Sequence, residues 1–155
     1  MSTAPAPAPL LDSRILGRAH YAARALLDRE LARTGHAFLH SIVLGALAAE
    51  GPEAERDAVV AYAVRTVKVS PADARRALAD LVDGGHARVA GGEPARVALT
   101  AEGDALRARL AAFSARTAPQ VYGDVPAEDL AVAARVLLRV TERAEALLAR
   151  ADGRA

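Results

Sequence analysis

The sequence contains no cysteine, which excludes disulfides, thiolate-held zinc and thiol redox sensing, because each needs the sulfur. Tryptophan is absent as well, and aromatic residues make up 3% of the chain. That scarcity argues against single-strand nucleic-acid platforms, which stack bases on exposed rings. No apolar run approaches the roughly 18 residues a bilayer span requires. The start alternates Ala and Pro from Ala4 to Pro9 and has no basic segment followed by an apolar stretch, so it does not read as a signal peptide. A cytoplasmic protein without membrane association is the expectation. Lysine occurs once, at Lys68, and with the alanine excess this reads as the codon bias of a GC-rich genome. There is no glycine-rich phosphate loop and no nucleophile elbow. The paired acids Glu53 with Glu55 and Glu128 with Asp129 fall at expected helix starts, where the helix dipole accounts for them. No enzyme activity and no cofactor are expected.

What is present is a chain of 155 residues, 52% of them hydrophobic, with a formal net charge of +1. That is enough for one domain with a core of Leu, Val and small residues. The charge balance decides nothing about DNA, for which the placement of cations matters more than their sum. Residues 1–9 favour extended polyproline-like conformers and read as a disordered arm. Asp12 or Ser13 then caps a long helix with Leu16, Ala19, Ala23, Leu26, Leu27 and Leu31 on one face, interrupted at Gly35. A second helix is expected over 36–50, ended by Gly51-Pro52, and a third over 54–66. Ser70-Pro71-Ala72-Asp73 is the sharpest local signal: an N-cap, a first-position proline, and an acid at the positive end of the dipole. Ala74, Ala77, Leu78, Leu81 and Val82 form the buried stripe of this fourth helix, and Gly84-Gly85 stops it. From 86 to 100 the period turns alternating, giving two short strands around Gly91-Gly92 and Pro94. Thr100 caps a fifth helix carrying Leu106, Leu110 and Phe113, a loop is expected over 119–125, and the last helix starts at Pro126. Leu130, Ala133, Leu137, Val140, Ala144 and Leu147 give it a coiled-coil-like seam.

The fold class is therefore mainly α, a winged helix-turn-helix with a two-stranded wing. Three stretches resemble the MarR (multiple-antibiotic-resistance regulator) family: Ile15 to His20 its opening helix, Ser70 to Gly85 its recognition helix and exit turn, and Val97 to Gly103 its second wing strand running into the next helix. The resemblance implies a single winged-helix domain over 10–155, with a DNA-binding lobe over about 36–100 and dimerisation helices over about 12–33 and 101–151. It further implies a homodimer, a recognition helix in the major groove of double-stranded DNA, wings near the minor groove, and a small-ligand pocket between the lobes. Repression of a palindromic operator is the implied output. The apolar stripes of both terminal helices independently favour a self-complementary partner.

Arg75 and Arg76 lie off the buried stripe near the start of the fourth helix, within reach of guanine edges or phosphates. In the same interface Ser70 and Asp73 act first as caps, and Ala72 is placed to meet a thymine methyl. Arg65, Lys68, Arg88 and Arg96 are the phosphate candidates. Arg18, His20, Tyr21, His40 and Phe113 are the expected lining of a pocket for an anionic aromatic effector, with apolar walls and a few convergent polar groups. No metal is assigned. The secondary alternative is His36 with His40, four apart on one face if the second helix has begun by then, with Asp28 or Glu30 nearby. The hairpin over 89–96 is short for the family, and Asp73, Asp80 and Asp83 sit on the fourth helix. Both features motivate a second reading, a dimeric ligand-binding or protein-interaction module that has lost specific DNA binding.

Overall fold

The computed structural model describes residues 10–153; the expected Ala/Pro arm over 1–9 lies outside them. α1 (Ser13–Ala32) starts where the Asp12 carboxylate accepts hydrogen bonds from the amides of Arg14 and Ile15 at 3.0 and 2.8 Å, satisfying donors that a helix start leaves open. It ends through Gly35, held at φ 72°, and His36, whose N–H reaches back to the Leu31 carbonyl at 3.1 Å. That bond keeps His36 in the exit turn of α1. The second helix therefore begins two residues later than expected, as α2 (Phe38–Ala49). His40 caps it, its Nδ1 accepting from the Ala37 amide at 3.0 Å.

Ala54 and Glu55 were expected to open a helix; they form a short strand, β1 (Ala54–Glu55), pairing Ala54 with Val97 and Glu55 with Arg96. Ala54 is buried and Glu55 exposed, the alternation a strand imposes. α3 (Arg56–Val67) follows, then α4 (Pro71–Asp83). The expected hairpin is present as β2 (Ala87–Gly91) and β3 (Arg96–Leu99), with an irregularity between Val89 and Gly91. β1 adds on the far side of β3, making a three-stranded antiparallel sheet in the order β1-β3-β2.

α5 (Ala101–Tyr122) is longer than expected. The loop placed at 119–125 is helical as far as Tyr122, with Pro119 inside the helix. A proline removes one N–H, but its carbonyl still takes part, here accepting from the Gly123 amide at 3.0 Å. α6 (Ala127–Asp152) completes the chain. The molecule divides into two compact units, one running to Ser114 and one starting at Ala115, with α5 passing from the first into the second.

In the first unit α2, α3, α4 and the sheet enclose the core. Its largest fully buried side chains are Leu31, Leu44, Leu47, Leu81, Val43, Val59 and Val97; alanines at 46, 63, 74 and 77 fill the close approaches between helices. Glu30 is the one buried charged residue among those described. It takes hydrogen bonds from Arg109 of α5 at 2.8 Å and Arg33 at 2.9 Å, as a buried carboxylate requires. In the second unit α6 buries none of its described residues, and Val132, Val136, Val140 and Leu147 stay exposed. No helix among the described residues is long and apolar enough to cross a membrane.

Candidate nucleic-acid interface

α3 and α4 are joined by residues 68–70. Lys68 makes the corner in the left-handed region, φ 56° and ψ 34°, as the C-cap of α3. Its Nζ donates to the Arg65 carbonyl at 2.6 Å. Ser70 then caps α4 as expected: its Oγ accepts from the Asp73 amide at 3.1 Å and donates to the Asp73 carboxylate at 2.6 Å. This reciprocal arrangement fixes Ser70 and Asp73 to each other and satisfies one of the open donors at the start of α4. Ala74, Ala77, Leu78 and Leu81 are buried beneath it, while Val82 is half-buried. Pro71, Ala72, Arg75 and Arg76 are exposed, and neither arginine makes an ion pair among the described residues. Arg65 is exposed on the last turn of α3, its guanidinium 5.7 Å from the centre of the Tyr62 ring. Arg75 also borders a cleft between α4 and the sheet, together with Arg56, Val82 and Val89.

The exit from α4 is as defined as its start. Gly85 stands at φ 76°, its N–H reaching the Val82 carbonyl at 3.0 Å and that of His86 the Leu81 carbonyl at 2.8 Å. This is the left-handed closure that glycine permits. Thr100 ties the turn to α5: its Oγ1 donates to the Gly85 carbonyl at 2.7 Å and accepts from the Gly103 amide at 3.1 Å. Gly103 is buried against the His86 carbonyl, and a Cβ there would collide with it. The glycine of the Leu-Thr-Ala-Glu-Gly stretch is thus required by close backbone approach.

On the wing Arg88 and Arg96 are exposed, as phosphate candidates must be, but each is engaged. Arg88 Nη2 lies 3.5 Å from Glu53 Oε1 and Arg96 Nη2 lies 4.0 Å from Glu55 Oε1. Arg96 Nη1 donates to the Glu53 carbonyl at 3.2 Å. The two glutamates, read from sequence as helix-start acids, instead flank Ala54 and face the wing. The alternation of Glu53, buried Ala54 and Glu55 was the available signal, but two strand residues are too few to show a period.

No family model matches the chain, and no curated protein matches it. Solved structures do. The transcriptional regulator PA3341 superposes with a TM-score of 0.70 at 27% identity, over 85% of this chain and 96% of that one. BpsR of Bordetella bronchiseptica, whose DNA binding is regulated by 6-hydroxynicotinic acid, gives 0.68 at 18% identity, over 88% and 99%. A mutant MarR from E. coli gives 0.66 at 15% identity, over 87% and 99%. The fold is that of the MarR-family regulators.

On this MarR fold the expected effector residues differ in exposure. Arg18, His20 and Tyr21 are exposed on α1, with the His20 and Tyr21 rings 5.3 Å apart, while His40 and Phe113 are half-buried. The clefts at α4, at the end of α2 and on α6 include none of the five in their lining. The His36–His40 pair does not lie on one helical face, because His36 precedes α2. Asp28 pairs with Arg24 and Glu30 with Arg109 and Arg33. Among the described residues no group of three or more His, Asp or Glu side chains is placed to hold a metal. What His36 and His40 form, with His86, is an imidazole cluster missed in the sequence. The His36 ring centre is 4.6 Å from that of His86 and 5.5 Å from that of His40, both edge to face. His36 and His86 each follow the glycine that closes a helix, so the ends of α1 and α4 meet through their rings. His40 Nε2 stands 3.4 Å from Asp80 of α4. Burial holds the His36 pKa below the ordinary histidine value, and its neighbours His86 and His40 push the same way.

Proposed function

We propose that this chain is a ligand-responsive DNA-binding transcriptional regulator that acts as a cytoplasmic homodimer on a roughly palindromic operator, with repression as its output. It is a binder, and no reaction is assigned to it. The observation that carries the reading is the pair Arg75 and Arg76: two exposed guanidinium groups near the start of a firmly capped second helix in a helix-turn-helix. Arginine matches the paired acceptors of guanine in the major groove and phosphate oxygens equally well. Arg65 and Lys68, at the turn before α4, lie where backbone contacts would orient that helix. The exposed apolar residues of α1 (Ile15, Leu16, Tyr21 and Leu26) and of α6 support a second copy as the partner. In such a dimer two α4 helices address major grooves about 34–36 Å apart. Arg18, His20, Tyr21, His40 and Phe113 form the effector site in this reading, completed by dimerisation. The regulation of BpsR by 6-hydroxynicotinic acid, an aromatic acid, supports an anionic aromatic effector. Such a ligand lowers operator affinity only by binding the free dimer better than the DNA-bound one.

The test is fluorescence anisotropy with duplex DNA from upstream of the chain's own gene. Wild type binds saturably at one dimer per site and resists unrelated competitor. Arg76→Ala costs about 1–3 kcal/mol and relaxes base preference, as expected for loss of a bidentate guanine contact. Unchanged affinity in that variant would remove α4 from its assigned role. The interaction-module reading is favoured by one observation, the engagement of Arg88 and Arg96 by Glu53 and Glu55. It requires that no duplex affinity be present at low salt, whereas a regulator loses affinity steeply as salt rises.

A further inference from the structure

We propose that Glu53 and Glu55 set the strength of this chain's contact with a phosphate backbone by competing with it for the two arginines of the wing. The inference rests on the DNA-binding reading and assigns a role to residues that reading leaves idle. Because Ala54 is buried between them, the two glutamates share the outward side of the β1 edge. There Glu55 stands directly across the ladder from Arg96, and Glu53 meets Arg88. Arg88 and Arg96 are the cations of the sheet and its turn. Glu93 in that turn is a third acid, so acids outnumber cations on this element. α4 carries three acids as well, Asp73, Asp80 and Asp83, but Arg75 and Arg76 at its exposed start make no ion pair among the described residues.

The geometry is that of loose, exchangeable pairs. Separations of 3.5 and 4.0 Å between half-exposed side chains are surface ion pairs, which contribute little and are readily given up. A phosphate can therefore take either arginine. Each transfer leaves a carboxylate facing the backbone anion, well inside the screening length of about 10 Å at 0.1 M salt. Arg96 keeps its bond to the Glu53 carbonyl, which holds the guanidinium beside the acids. The wing is thus held weak by its own neighbouring strand, and the balance of affinity rests on base-reading α4. A regulator built this way gives up affinity that any sequence would receive and keeps the part that depends on sequence.

The test uses the full chain and a labelled 30-base-pair duplex of random sequence, titrated by anisotropy from about 20 to 200 mM salt. Glu→Gln preserves shape and removes charge, and thermal melts followed by circular dichroism check that each variant is folded. The double variant E53Q/E55Q is expected to bind about threefold to tenfold more tightly at 0.1 M salt. Its salt slope should steepen by about 1 to 2, as for one or two added phosphate contacts. Repeating the pair of substitutions in an R88A/R96A background should abolish the gain. An equal gain with and without the arginines would show a general charge effect and overturn the proposal. No gain, in a protein whose random-duplex binding is nonetheless weakened by R75A/R76A, would overturn the masking and leave the DNA-binding reading standing. No binding by wild type even at the lowest salt would overturn both.

Discussion

Each of two ionisable side chains in the first unit makes folding sensitive to pH over its own interval. His36 has a folded pKa below the ordinary value because its ring is withdrawn from water and faced by His86 and His40. Asp80 is the acid at this junction, 3.4 Å from His40. The unfolded chain therefore takes up the proton first, near the ordinary histidine value of about 6.5. The contribution of neutral His36 is complete above that pH and drains as pH falls toward the depressed folded value. Glu30 lies lower on the scale. The hydrogen bond from Arg109 holds its carboxyl below the ordinary glutamate value, against the opposing effect of burial, with the charges of Arg109 and Arg33 adding to it. Its contribution is present above the unfolded value of about 4.3 and is lost as pH falls through the folded one. Melting temperatures measured from pH 8 to 3 should accordingly descend in two stages, and His36→Gln should flatten the upper one. An unaltered upper stage in that variant would assign the histidine-range dependence elsewhere. Neither residue's environment was legible in the sequence. His36 and His86 are 50 positions apart, and their meeting depends on two glycine-closed helix ends coming together, which no local pattern encodes.

Among elements, those that read most clearly were those closed by local chemistry. Ser70, Pro71 and Asp73 specify the start of α4 within four residues, and Gly85 specifies its end, so its bounds followed from capping alone. For the start of α1 the sequence offered Asp12 or Ser13, and Asp12 is the cap. The misread elements are those decided by distant partners. β1 exists because β3 offers its edge, with Ala54 opposite Val97; alone, those residues look like the beginning of a helix. α5 is a different case: it runs past Pro119, a helix-breaking signal, to Tyr122, and the Pro119 carbonyl still accepts from the Gly123 amide. Gly103, like β1, is decided by a distant partner, since sequence shows a glycine in the first turn of a helix without showing the His86 carbonyl above it. Gly103→Ala should destabilise the first unit by about 1–3 kcal/mol, the usual cost of forcing extra volume into a packed site. Urea unfolding measures it. A neutral result would mean that α5 can shift away from the α4 exit turn, against the two hydrogen bonds Thr100 makes there.

For the whole molecule, the fold class and the helix-turn-helix were readable because periodicity, caps and the change to alternation all agreed. The proposed assembly rests on an excess of exposed apolar surface on α1 and α6. The proposed dimer makes that excess testable. Sedimentation equilibrium should give a dimer at micromolar concentration, and Val140→Arg with Leu147→Arg should weaken association at least about tenfold, since buried apolar area would be replaced by charge. Retention of a dimer of equal strength would exclude the seam of α6 from the interface. The near-absence of aromatic residues has a last, practical side. With no tryptophan in the chain, its ultraviolet emission comes from three tyrosines. Tyr21 and Tyr122 are exposed, on α1 and at the end of α5, while Tyr62 is half-buried on α3 with the Arg65 guanidinium nearby. Replacing the two exposed tyrosines by phenylalanine leaves one intrinsic fluorophore, beside a candidate phosphate ligand, so the protein carries a native optical probe at the foot of its helix-turn-helix.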